Sequence, residues 1–178
     1  SYSSINPSSL FPPRLTWGHN PWILSVGVGL LLSLSFPPVN ASFLSFFGFV
    51  GLYQLVLLSH SYRHLALISY PAFFVWNLGT TYWLTMASVP AGVAAIVANS
   101  AIMLFPMMVI RFIHHRYHLF GWTALFQAAA WILYEYLHHH WDLAWPWLGV
   151  GNAWANHISV IQYISITGHL GISFWVVF

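Results

Sequence analysis

The chain has 178 residues, of which 59% are hydrophobic and only 3% charged, with a mean hydropathy of +0.72 and a formal charge of +2. Soluble domains carry about 25% charged residues, so this chain cannot clothe a water-facing surface, and lipid is the solvent its composition fits. Four Arg and no Lys are too sparse to track a nucleic-acid backbone, and the absence of Cys excludes disulfides, thiolate nucleophiles and Cys-based zinc or iron–sulfur sites within these residues.

Ser1 to Asn20 is rich in Ser and Pro, carries Arg14 as its one charge and has no sustained periodicity. It reads as a polar tail, without the basic, apolar, small-residue order of a signal peptide. The helical domain is expected over residues 21–178. Pro21 and Trp22 open the first apolar stretch, which Phe36-Pro37-Pro38 ends and Val39-Asn40 turns. It is short for a hydrocarbon core of roughly 30 Å unless flanking aromatics extend it.

A second span is predicted from Ala41 to Ser59, followed by the break His60-Ser61-Tyr62-Arg63-His64. The third runs from Leu65 to Met86, with Pro71, Asn77 and Gly79 inside it; a membrane helix tolerates such a Pro when neighbours satisfy the freed carbonyl. Ala87-Ser88-Val89-Pro90 is the next turn. The fourth, Ala91 to Ile110, carries Gly92, Ala94, Ala95, Ala98, Ser100 and Ala101 as a small-residue surface for close helix contact.

Arg111 to His118, RFIHHRYH, is the most basic segment. A fifth span follows from about Leu119 to Leu137, then an acidic interfacial segment from His138 to Asn156. A sixth, Ile158 to Phe178, reaches the last residue without a polar stop, which reads as a chain cut before a seventh span. The fold class expected is therefore all-α: a polytopic membrane bundle of about six transmembrane helices. With the amino terminus cytoplasmic, all four Arg fall on the cytoplasmic side and Asp142 on the other, as the positive-inside rule requires.

A soluble bundle would need polar faces on its outer helices, and none of these segments shows one. Barrel strands would be about 9 to 11 residues with alternating character, and these runs are longer and continuous. A transporter should show an internal repeat or broken helices at related depths; no repeat is evident. The 14 Phe, 11 Trp and 9 Tyr suit a chain that crosses two interfaces, where amphipathic rings sit among headgroups.

The most informative stretch is Trp131 to Asn152, because it holds both acidic residues, Glu135 and Asp142. A carboxylate near the end of the fifth span must be paired, hydrogen-bonded or close enough to the interface to reach water. Glu135 can thus pair structurally, touch substrate, or be solvated. His138, His139, His140 and Asp142 offer ligand types suited to zinc or iron, but consecutive helical positions point in different directions, so an interfacial role is expected and no metal is assigned.

His114, His115 and His118, with Arg111 and Arg116, suit anchoring and contact with anionic lipid at the opposite boundary. His169, beside Gly168 and Gly171, suits a hydrogen bond across helices. Haem or pigment ligation by in-span His would need facing pairs, and that pattern is absent, so no cofactor is expected. Trp145-Pro146-Trp147-Leu148, then Gly149, Gly151 and Asn152, predict a rigid loop along the interface, its glycines permitting tight turns. Such a loop is suited to roof an opening through which an acyl chain enters.

At these residues the sequence resembles the amino-terminal membrane region of the bacterial apolipoprotein N-acyltransferase family. Phe36-Pro37-Pro38-Val39-Asn40 is similar to its Pro-containing turn after the first span, and Asn77 with Tyr82-Trp83-Leu84 to its third span. Trp131 and Glu135, then Trp145-Pro146-Trp147-Leu148 and Gly151-Asn152, resemble its Trp-x-x-x-Glu helix and Pro-Trp-Leu loop. Gln162, Gly168, Gly171 and Ser173-Phe174 complete the order. Two departures stand out: His138-His139 where the family commonly has Arg-Gly, and Ala144-Trp145 in place of Gly-Phe.

The resemblance implies a multi-pass protein of the bacterial inner membrane that moves an acyl chain from a phospholipid to the amino-terminal Cys of a diacylated lipoprotein. It also implies that catalysis belongs to a nitrilase-like periplasmic domain with a Glu-Lys-Cys triad, so no catalytic residue is assigned in these 178. Glu135, Trp145, Trp147 and Asn152 are the candidate interfacial or substrate-proximal residues. Membrane phospholipid is the expected partner, with a lipoprotein substrate or other membrane subunits beside it and no nucleic acid. The alternative is a non-catalytic membrane subunit or degenerate relative that packs in a larger complex and binds lipid or pigment.

Overall fold

In the computed structural model, residues 20–117, 123–141 and 144–178 are described, and among them the regular structure is entirely helical. The helix α1 spans Pro21–Ser35, α2 Leu44–Leu58, α3 Tyr62–Thr81, α4 Leu84–Ala87, α5 Val89–Ile102, α6 Leu104–Tyr117, α7 Thr123–His139, α8 Ile164–Thr167 and α9 His169–Val177. Two 3₁₀ turns, Pro146–Leu148 and Val150–Trp154, form the loop between α7 and α8.

Local chemistry sets several of these ends. Asn20 caps α1 by accepting the Trp22 N–H at 2.9 Å, with Pro at the first position where its missing donor costs nothing. Ser61 caps α3 through the His64 N–H at 3.1 Å. Pro37 and Pro38 cannot continue α1, and Asn40, at φ 57, turns the chain toward α2.

The first three helices pack closely because small residues face one another. A Cβ on Gly29 would lie 2.6 Å from the Ala72 carbonyl oxygen, and one on Gly48 would lie 2.5 Å from Leu32 Cδ2. Ser33 Oγ donates to the Val75 carbonyl at 3.0 Å, and Ser25 Oγ accepts the Ala72 N–H at 2.9 Å, beside Pro71. Neighbouring side chains thus tie α1 to α3 where Pro71 interrupts the backbone ladder.

Aromatic rings form the centre of the core. Trp131 of α7 stacks on Trp76 of α3, centroids 6.0 Å apart, and receives Phe49 of α2 edge-on at 4.8 Å. The outward faces are equally apolar: Ile23 is 71% exposed, Phe47 60% and Leu67 60%. A bundle dressed in such side chains fits a lipid surround.

The continuous stretch Val89–Tyr117, formed by α5 and α6, is 29 residues long and apolar enough to cross a membrane. The helices α1 and α2 are also apolar but shorter, at 15 residues each.

Three expectations change. The third segment does not run to Met86: α3 ends at Thr81 and α4 is separate. The fourth segment does not run unbroken from Ala91 to Ile110: α6 continues through Arg111 to Tyr117, and the discontinuity lies at Met103. Ile158 to Phe178 is not one helix. Turns occupy 158–160 and 162–163, and Gly168, at φ +67, separates α8 from α9 in a conformation that glycine adopts without steric cost. The expected tail, except Asn20, lies outside the described residues, as do His118 and Asp142.

Candidate functional site

Glu135 lies one turn before the end of α7, four residues after Trp131, so both side chains share a face. Its carboxylate is buried, with 2% of the residue exposed. The Oε1 atom accepts the Trp131 indole N–H at 3.2 Å and the Val150 backbone N–H at 2.8 Å. The Ser173 hydroxyl of α9 faces the same carboxylate and accepts the Gly151 N–H at 3.3 Å, while Oε2 makes no close hydrogen bond. Of the three roles open to Glu135, the geometry displays the pairing one.

The loop it holds is anchored at further points. Ser42 Oγ donates to the Ala153 carbonyl, Trp154 Nε1 donates to Ser45 Oγ at 3.3 Å, and Asn156 Nδ2 donates to Asn40 Oδ1 at 2.7 Å. Asn152 is exposed and closes the loop on itself, with Nδ2 2.8 Å from the Pro146 carbonyl oxygen. Trp145 packs against the core. Trp147 is 55% exposed and meets Trp83 edge-on at 5.5 Å.

Glycine serves this loop differently from the expectation. Gly149 has φ −54, which any residue can adopt. At Gly151 space decides instead: a Cβ would lie 3.1 Å from the His169 carbonyl oxygen.

His138, His139 and His140 take separate partners. The His138 Nε2 lies 2.9 Å from Asn99 Oδ1, the His139 ring faces the His169 ring at 5.3 Å, and His140 Nδ1 lies 2.6 Å from the Tyr136 carbonyl oxygen. His169 therefore makes a cross-helix ring contact. Among the described residues no three His, Asp or Glu side chains are grouped to hold a metal ion.

The His138 bond belongs to a directional chain. Trp141 Nε1 can only donate, and it lies 2.9 Å from His138 Nδ1. His138 therefore carries its proton on Nε2 and gives it to Asn99 Oδ1. Asn99 Nδ2 donates to Asn77 Oδ1 at 2.7 Å, and Asn77 Nδ2 donates to the Phe73 carbonyl at 2.8 Å. Three helices are joined by neutral groups whose donors and acceptors match. Asn99 is the member that sequence reasoning missed; its signal was an amide within an otherwise small and apolar run.

At the other end of α6, Arg111 is 5% exposed instead of lying at an open boundary. Its Nη1 donates to the Ser59 carbonyl at 2.6 Å and to Ser59 Oγ, and its guanidinium lies over the Tyr62 ring at 5.4 Å. His60 and His64 stack at 3.8 Å. His114 joins α6 to α2 through Tyr53 at 3.1 Å.

An apolar cavity of about 590 Å³ is lined by Val109, Phe112, Ile113, Tyr117 and Phe126. Phe126 stands in the first turn of α7, whereas the 146–154 loop follows its last, so this cavity is not the opening expected beneath that loop. Chemically, the Glu135 assembly fixes a loop; it brings no thiol or amine with it.

Comparison with known sequences adds the context. The Apolipoprotein N-acyltransferase N-terminal domain matches residues 28–178. The apolipoprotein N-acyltransferase of Chlorobaculum tepidum is 28% identical over 158 residues, covering 87% of this chain and 30% of that protein. The chain thus spans less than a third of that relative's length. No solved structure matches. With most of its length matched in one continuous segment, the chain belongs to the apolipoprotein N-acyltransferase amino-terminal domain family.

Proposed function

We propose that this chain is the membrane platform of an apolipoprotein N-acyltransferase-like protein in the bacterial inner membrane. The reaction it serves transfers an acyl chain from a phospholipid to the amino-terminal Cys of a diacylated lipoprotein. The carrying observation is the aromatic loop 145–154, fastened by the buried Glu135 within a chain that matches the family over residues 28–178. On this reading residues 1–20 are a polar cytoplasmic tail and 21–178 cross the membrane six times. The crossings are α1, α2, α3, α5 with α6, α7, and the α8–α9 segment.

A seventh span and a nitrilase-like periplasmic domain follow in the complete protein and supply the chemistry. A thiolate there attacks the lipid ester, releasing a lysophospholipid and leaving a thioester. The lipoprotein amine then attacks the thioester, forming the amide and returning the thiol. The part assigned to this chain is to hold the lipid-facing rim, where Trp145, Trp147 and Asn152 border the approach and Glu135 positions them.

The test uses the protein as its natural gene encodes it, in nanodiscs, with phosphatidylethanolamine as donor and a synthetic diacylated lipopeptide as acceptor, the N-acylated product being followed by mass spectrometry. Product is expected from the wild type, and Trp147→Ala should lower turnover while leaving thermal unfolding unchanged. No product from the intact, folded protein would overturn the reading. Its recovery as a short chain within a larger membrane assembly would then favour the non-catalytic subunit.

A further inference from the structure

Arg111 is a buried cation, and among the described residues it has no carboxylate partner. The chain has two acidic residues. Glu135 is committed to Trp131 and Val150 near the last turn of α7, and Asp142 follows it in sequence, whereas Arg111 belongs to the Ser59–His64 end of the bundle. A carbonyl, a hydroxyl and a ring face compensate such a charge only in part. Buried ions in low dielectric are ordinarily paired with an opposite charge.

The surrounding donors are arranged for an anion. Nη1 is used on Ser59, while Nε is buried without an acceptor. That edge, Nε with Nη2, can grip two oxygens side by side. His64, two residues after the Tyr62 ring that the guanidinium covers, keeps a buried Nδ1 without a partner. Tyr62 and His64 open α3, a 20-residue helix whose dipole favours negative charge, as do its first-turn N–H groups other than that of His64, which Ser61 caps.

We propose that Arg111, His64 and the first turn of α3 form a binding site for a phosphate group, drawn from a phospholipid headgroup or from inorganic phosphate. The site lies at the end of the bundle away from the 145–154 loop. It rests on the membrane reading of the chain and is independent of acyl transfer.

Thermal unfolding of the protein in uncharged detergent tests it, with three separate titrations: dioctanoyl phosphatidylglycerol, inorganic phosphate, and dioctanoylglycerol, which has the same chains and no phosphate. Wild type should be stabilised saturably by the phosphatidylglycerol and not by the diacylglycerol. Saturation by inorganic phosphate as well identifies a free-phosphate site; saturation by the lipid alone identifies a headgroup site.

Arg111→Met should weaken binding by roughly tenfold or more, the loss of a charge-assisted fork. Arg111→Lys, which keeps the charge without the fork, covers the case in which the Met variant fails to fold and should weaken it several-fold. Arg116→Gln, an exposed charge at the same end, should bind within about twofold of wild type. Wild-type affinity in the Lys variant, an equal loss in Arg116→Gln, or equal stabilisation by the diacylglycerol would each overturn the site, as would no saturable response to either phosphate compound.

Discussion

Replacing Glu135 by Ala removes the single oxygen that accepts both the Trp131 indole N–H and the Val150 N–H. Each buried donor left unpaired costs about 1–3 kcal/mol, so the two together cost about 2–6 kcal/mol. Removing a desolvated carboxyl offsets part of that, which places the expected net loss near 2–3 kcal/mol. The loss should concentrate where the bond was. A drop of about 2 kcal/mol in local opening free energy speeds amide exchange by roughly 30-fold. Hydrogen exchange followed by mass spectrometry on the peptide containing Val150 and Gly151 reads this directly. Glu135→Gln keeps an acceptor oxygen of the same reach and should stay within about fivefold of wild type, less than about 1 kcal/mol. Unchanged exchange in the Ala variant, or a Gln variant as loose as Ala, would refute the account of Glu135 as the fastening of the loop.

Two further perturbations probe the packing. His138→Phe leaves Asn99 Oδ1 and the Trp141 indole N–H without partners and should lower stability by about 1–3 kcal/mol, measured by thermal unfolding in micelles; an unchanged midpoint would contradict the chain of hydrogen bonds. Gly29→Ala and Gly27→Ala form a matched pair on α1. The first drives a Cβ toward the Ala72 backbone and should cost about 1–3 kcal/mol, whereas the second meets nothing within 4 Å and should gain up to about 1 kcal/mol in helix propensity. Equal effects in the same unfolding measurement would show that close approach of α1 to α3 is not what Gly29 provides.

The segments were legible because apolar length is read directly from sequence, and their breaks because Pro37, Pro38 and the Ser61 cap carry local signals. Trp131 and Glu135 were legible only as a Trp-x-x-x-Glu resemblance; that the indole bonds the carboxylate came from the structure. What escaped was decided by helix phase and by distant partners. Arg111 looked like part of a basic boundary, but it shares the inward face of α6 with Met107 and Ile110. Asn99 gained its meaning from Asn77 and His138, 22 and 39 residues away. Gly168 looked like part of an apolar run, and only its backbone conformation separates α8 from α9.

The bonds that fix residues 150–156 come from Glu135 on α7, Ser173 on α9, Ser45 on α2, and Asn40 and Ser42 in the turn before α2. Partners 15 to 116 residues distant in the chain must gather before any of these bonds can close. Closing such long loops is entropically unfavourable until the helices have already met. The loop is therefore a late-assembling part of the molecule, and its order reports that helices from both halves of the chain have found one another.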